Sequence, residues 1–211
     1  MTRASTQKVA TKARAGSPSP AGEVRIIGGQ WKRTKLAVPN RPGLRPTPDR
    51  VRETLFNWLG QDLTGWHCLD AFAGTGSLGL EAASRGASRV TLIESDAGLV
   101  QKLQDICQKL KATDVEVRRG DGIAAMKRAA VGSLDLVFLD PPFDADLFDA
   151  ALASARPLLR SGGLIYLEAP TLWDEERLAA LGLAVRKQLK AGAVYAHLLE
   201  ALEALSHPGR A

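Results

Sequence analysis

From Gly65 onward the chain alternates apolar runs of strand length with longer stretches of helical period, and this alternation constrains the fold more than any other feature. It predicts strands near residues 66–71, 89–94, 115–119, 134–139, 163–168, 183–189 and 193–200. Helices are expected near 77–85, 96–111, 121–129, 145–159 and 172–181. Leu134-Asp135-Leu136-Val137-Phe138-Leu139 is mostly apolar, as a strand covered on both faces of a parallel sheet requires. The expected fold is α/β and Rossmann-like, a seven-stranded, mostly parallel sheet with helices on both faces. Ligands of such sheets bind outside the carboxyl ends of the strands. The last two strands have only a Lys190-Ala191-Gly192 turn between them, so they are expected to pair antiparallel.

The front of the chain differs in composition and charge. Residues 1–52 hold 12 Lys or Arg against two acids, Glu23 and Asp49, whereas the remainder holds 16 bases against 21 acids. A basic front on a mildly acidic body suits a polyanionic partner. Residues 1–22 end in Ser17-Pro18-Ser19-Pro20 and lack the apolar residues needed to order themselves, so a disordered basic tail is expected. Val24–Ile27 and Thr34–Val38 then suggest a small hairpin turning at Gly28-Gly29 and carrying Arg25, Lys32, Arg33 and Lys35. Thr47 is placed to cap a helix over about 48–60 with Pro48 at its first position, and Val51, Leu55, Trp58 and Leu59 fall on its inner face. The expected division is tail 1–22, basic extension 23–62 and main domain 63–205.

No run approaches the roughly 18 apolar residues that span a bilayer, and no secretory h-region opens the chain, so a cytoplasmic protein is expected. Cys68 and Cys107 lie far apart without metal-ligand spacing and are read as reduced thiols. His67, His197 and His207 lack partner spacing and receive no role; no metal site is expected.

The first main-domain strand runs into Asp70-Ala71-Phe72-Ala73-Gly74-Thr75-Gly76-Ser77-Leu78-Gly79. Gly74 and Gly76 permit a tight turn where a ligand approaches the backbone, and the segment also satisfies the dinucleotide pattern G-x-G-x-x-G. Glu94, about 20 residues on, ends the second strand beside Ser95, where an acid accepts bonds from ribose hydroxyls. Thus far a nicotinamide enzyme and a methyltransferase fit equally. Asp70 separates them, because a carboxylate suits a cofactor ammonium group and repels a pyrophosphate. Asp121-Gly122 after the third strand can cap the next helix, and Asp121 can also accept from an adenine amino group.

Directly after the apolar fourth strand stands Asp140-Pro141-Pro142-Phe143. A base amine is a poor nucleophile because its lone pair is delocalised into the ring. Acceptors that hold both amine hydrogens favour a pyramidal nitrogen and aim that lone pair. Asp140 and a main-chain carbonyl near Pro141 can supply them. Pro141 and Pro142 stiffen the backbone without adding competing N–H donors, and Phe143 offers a face on which a flipped base stacks.

These motifs resemble the class I methyltransferases that modify exocyclic amines. More narrowly, Arg25-Ile26-Ile27-Gly28-Gly29 and Arg45-Pro46-Thr47-Pro48-Asp49-Arg50-Val51-Arg52-Glu53 resemble the RsmD family, over residues 24 to about 200. The resemblance implies methyl transfer from S-adenosylmethionine to N2 of a guanine in 16S ribosomal RNA, within the small subunit or its assembly intermediates. It implies a cofactor site of Asp70, Phe72, Gly74, Gly76, Glu94, Ser95, Asp121 and Gly122, closed by Thr47. Asp140, Pro141, Pro142 and Phe143 would hold the base, and Arg25, Arg33, Arg45 and Arg50 would meet RNA phosphates. A monomer without an obligate protein partner is expected. The alternatives are a DNA or RNA adenine-N6 methyltransferase, a protein glutamine methyltransferase and a non-catalytic RNA-binding assembly factor. A nicotinamide dehydrogenase is disfavoured by Asp70 and by the missing acid–base pair.

Overall fold

The computed structural model describes residues 22–38, 47–143 and 145–202. The expected tail, Arg45 and His207 therefore lie outside the described residues, apart from Gly22, which opens the first strand. Strands β1 (Gly22–Arg25) and β2 (Lys35–Val38) pair antiparallel, with Val24 opposite Leu36. The hairpin is as expected, but β1 stops before Ile26. The N–H groups of Ile27 and Gly28 leave the ladder and donate instead to the Glu81 carboxylate at 2.7 and 2.8 Å.

Helix α1 (Asp49–Trp58) follows, and here one expectation fails. Thr47 does not cap it: Pro48 occupies the cap position without a side-chain bond, while the Thr47 hydroxyl donates to Glu168 at 2.6 Å. The main sheet contains β3 (His67–Asp70), β4 (Arg89–Glu94), β5 (Val115–Arg119), β6 (Leu134–Leu139), β7 (Leu159–Ala169), β8 (Leu183–Ala191) and β9 (Val194–Ala201). Their order is β5-β4-β3-β6-β7-β9-β8, and only β9 runs antiparallel to its neighbours. Helices α2 (Gly79–Ser84), α3 (Ala97–Leu110), α4 (Gly122–Arg128), α5 (Phe148–Ala155) and α6 (Glu175–Ala180) connect the strands. This is the Rossmann-like class I methyltransferase fold, in which the order of strand addition reverses between the parallel neighbours β3 and β6.

Period-two alternation sorts the strand residues between two cores. Leu136, Phe138, Leu164 and Tyr166 face the hairpin, α1, α2 and α3, whereas Val137, Leu139, Ile165 and Leu167 face α4, α5 and α6. Asp96, Asp121 and Asp174 cap α3, α4 and α6 through their carboxylates. Helix α5 ends four residues before the expected 159. Pro157 has no N–H to continue the helical ladder, and a 3₁₀ turn at Arg156–Leu158 leads straight into β7. His197 is fully buried, and its Nε2 accepts the Trp173 N–H at 3.3 Å, so it serves as a core residue. Cys68 and Cys107 are free thiols. No described helix is long and apolar enough to cross a membrane.

Two fully buried ionic residues fasten the basic extension to the body. Arg52 donates to the Arg25 carbonyl and to Asp49, each at 2.7 Å, and reaches Glu81 at 3.4 Å. Glu81, on α2, also receives Arg85 at 2.9 Å. Beside it Gly29 holds a φ of +72°, and a Cβ there would run into the Ser84 carbonyl. Gly29→Ala should therefore lower stability by more than the roughly 1–2 kcal/mol of a left-handed conformation alone, read by urea denaturation.

Candidate active site

A cavity of about 1500 Å³ opens at the carboxyl ends of the strands, where the reversal between β3 and β6 leaves a crevice. The glycine turn forms its floor. Ala73 N–H bonds the Ile93 carbonyl at 2.9 Å and Gly76 N–H closes onto Ala73 at 2.6 Å. Glu94 braces the turn from the next strand. One of its oxygens accepts Gly74 N–H and the other Asp96 N–H, each at 2.8 Å, with the Ser95 hydroxyl near the second. Phe72, Gly74, Glu94, Ser95, Asp121 and Gly122 all line the cavity. Gly122 sits so close to Ala71 that a Cβ would strike that carbonyl, which keeps the floor open only for glycine.

Asp70 and Gly76 stand differently. Neither lines the cavity; Asp70 is 1% exposed, beneath the glycine turn, and accepts Gly79 N–H at 3.0 Å through Oδ2. Its Oδ1 has no hydrogen-bond partner. Burial pushes its carboxyl up to about 7, against the pull of the Gly79 and Phe72 N–H groups. Gly76 acts through shape: at a φ of +78°, a Cβ would meet Leu103 at 2.6 Å.

The opposite wall is Asp140, Pro141, Pro142 and Phe143. Phe143 is 42% exposed, with its ring 6.2 Å from Phe148. Asp140 keeps one side open to the cavity while dense protein surrounds the rest of it. Burial, then the charges of Glu168 and Asp70, holds its carboxyl well above the ordinary range. Glu168 is 4% exposed, lines the same cavity, and accepts Tyr166 OH at 2.8 Å as well as Thr47. Burial raises its carboxyl too, opposed by Thr47, Tyr166 and Arg52.

The remaining rim comes from both ends of the described chain. Thr47, Pro48, Arg50, Val51 and Thr54 line one side, and the β8–β9 turn, from Leu189 to Val194, lines another. Arg50 is exposed at this rim, whereas Arg25 and Arg33 lie exposed on the hairpin and do not line the cavity.

The family model described as "Conserved hypothetical protein 95" matches residues 24–200. The Escherichia coli (strain K12) protein "Ribosomal RNA small subunit methyltransferase D" is 45% identical over 153 residues, covering 72% of this chain and 77% of the relative. The chain belongs to the RsmD family. A Haemophilus influenzae relative of the same name is 44% identical, covering 72% of this chain and 81% of its own. The solved structure of the Escherichia coli protein yhhF superposes with a TM-score of 0.71 at 38% identity, covering 85% of this chain and 98% of that one.

Within this RsmD-family cavity, sequence reasoning had missed Glu168 and the β8–β9 turn. Glu168 had a signal, since a lone carboxylate closes the otherwise apolar Leu164–Leu167 run at the ligand edge. The turn had none, because its glycine reads the same whether or not it borders a cavity.

Proposed function

We propose that this RsmD-family chain transfers a methyl group from S-adenosylmethionine to the exocyclic N2 amine of a guanine in small-subunit ribosomal RNA. The observation that carries the reading is one cavity with the glycine turn and Glu94 on one wall and Asp140-Pro141-Pro142-Phe143 on the other. The names of the two relatives support ribosomal RNA as substrate. The choice of guanine N2 rests on the family resemblance.

The residues suit the cofactor. Asp70, buried beneath the glycine turn with Oδ1 unpartnered, is proposed to attract the cationic amino-acid end from below the cavity floor; Glu94 fits the ribose and Asp121 the adenine amine. Phe72, Ser95 and Gly122 shape its floor, and Thr47 closes the pocket under α1. When bound, S-adenosylmethionine supplies an electrophilic methyl group, whose bond to sulfur breaks as the amine lone pair takes it. Asp140 and a backbone carbonyl near Pro141 hold the amine hydrogens, so the lone pair points out of the ring plane. Phe143 stacks the flipped base. Asp140, whose ionised carboxylate is made a stronger base by burial, accepts the proton that the methylated amine sheds. Arg25, Arg33 and Arg50, together with Arg45 outside the described residues, are proposed to contact RNA phosphates, so binding should weaken with salt.

The test offers ribosomal RNA, small subunits, DNA and cell protein in parallel with radiolabelled S-adenosylmethionine, then identifies the modified nucleoside. Label recovered as N2-methylguanine from small-subunit RNA supports the proposal, and label on DNA adenine or on protein overturns the substrate.

Asp70 has a separate signature. A carboxyl raised to about 7 favours the cofactor-free protein while protonated, so that form loses stability as pH rises from the ordinary carboxylate range towards 7. A bound ammonium favours the ionised carboxylate instead. Cofactor affinity should then increase as pH rises through about 7, and both affinity and slope should fall in Asp70→Asn. Titration calorimetry at several pH values checks this; an unchanged slope would remove Asp70 from the cofactor site.

A further inference from the structure

Glu168 is fixed with unusual care for a residue outside the recognised motifs. Leu139 pairs with Leu167 across the parallel β6–β7 ladder, so Asp140 and Glu168 follow side by side at the ligand edge. Alternation puts both on the face shared by Phe138 and Tyr166. Two buried hydroxyls, of Thr47 and Tyr166, donate to Oε1 alone, and among the described residues no group donates to Oε2. A buried acid braced on one oxygen, with the other unused in a ligand cavity, is an acceptor awaiting a donor.

The edge chemistry of the bases says which donor. Guanine presents its exocyclic amine next to a ring N1–H, two adjacent donor groups. Adenine and cytosine present an amine next to a bare ring nitrogen, whose lone pair would oppose a carboxylate. Two neighbouring carboxylates therefore match guanine and repel the others. We infer that Glu168 selects guanine by accepting its N1–H through Oε2 while Asp140 holds the adjacent amine. This rests on the base-amine methyltransferase reading above and adds the residue that sets its base specificity. Thr47 and Tyr166 keep the Glu168 carboxylate from swinging away, which gives the buried threonine just before α1 a task in substrate choice.

The experiment uses the full chain and small-subunit RNA carrying 2-aminopurine at the labelled position. This base keeps the 2-amine but has an acceptor at N1. Wild-type protein should prefer guanine in kcat/KM by on the order of 10²-fold or more, the cost of removing a hydrogen bond to a charged group in a closed site. Glu168→Gln keeps an oxygen for Thr47 and Tyr166 and can turn its N–H₂ towards the N1 acceptor. In that variant the preference should collapse, with guanine transfer falling and 2-aminopurine transfer maintained or raised. Comparing the ratio between proteins cancels the intrinsic reactivity of the two amines. A Glu168→Gln variant that slows both substrates equally would make Glu168 merely structural and overturn the inference. A wild-type protein that labels no guanine fails earlier, at the methyltransferase reading itself.

Discussion

Asp140→Ala is expected to abolish detectable methyl transfer, with a loss of on the order of 10²–10³-fold or more in single-turnover rate, while cofactor affinity stays largely intact. The separation follows from the site's two walls. Asp140 ends β6 on the side that would hold the base, whereas the glycine turn and Glu94 come from β3 and β4. The variant should also fold at least as well as the parent. Asp140 shares its corner with Glu168 and Asp70, and burial and these like charges push its carboxyl well above the ordinary range. The folded state thus holds a proton that the unfolded state releases, and the wild-type protein loses stability as pH rises above the ordinary carboxylate range. Removing the side chain should flatten that slope. Rapid-quench transfer, calorimetric cofactor titration and urea melts at two pH values test the three statements together. Loss of cofactor binding along with transfer would recast Asp140 as a cofactor or folding residue.

Glu81→Ala is expected to cost about 3–5 kcal/mol of stability, the largest effect of any single change here. Its carboxylate accepts Ile27 and Gly28 N–H at 2.7 and 2.8 Å, Arg85 at 2.9 Å and the fully buried Arg52 at 3.4 Å. Truncation would take the buried counter-charge from Arg52, which keeps only Asp49 as an ionic partner among the described residues, and leave two backbone donors and the Arg85 ε N–H without their acceptor. Urea denaturation reads the loss. The exposed pair Lys35–Glu23, 2.8 Å apart, provides the control: Glu23→Ala should change stability by less than about 1 kcal/mol. Equal effects would mean that the buried network contributes no more than the surface pair.

Periodicity and local chemistry made much of this molecule legible before any coordinates. The helix–strand alternation placed all seven main-sheet strands and the antiparallel last pair, and Asp121 caps α4 as its position suggested. These features depend on residues close in sequence. What escaped depends on distant ones. Thr47 looked like a helix cap because the neighbouring residues favour that role, yet its hydroxyl goes to Glu168, 121 positions away. Arg52 and Glu81 carry no local signal of burial, and only their meeting across 29 positions makes a buried pair. Asp70 was expected to line the cofactor's amino-acid end, and its place one layer beneath the turn was not legible, because a strand's last residue can be covered by the loop that follows.

The sheet order carries a consequence for how such a chain is made. β9, synthesised after every other described strand, does not finish an edge; it slots between β7 and β8, both already synthesised. Until it emerges, β7 shows one bare row of backbone donors and acceptors, and β8 has no neighbour to pair with. The β8–β9 turn that borders the cavity does not exist until the same moment. Nascent chains therefore complete the cavity only as they complete the sheet, and an interrupted one is left with a sticky edge that invites a chaperone or a protease.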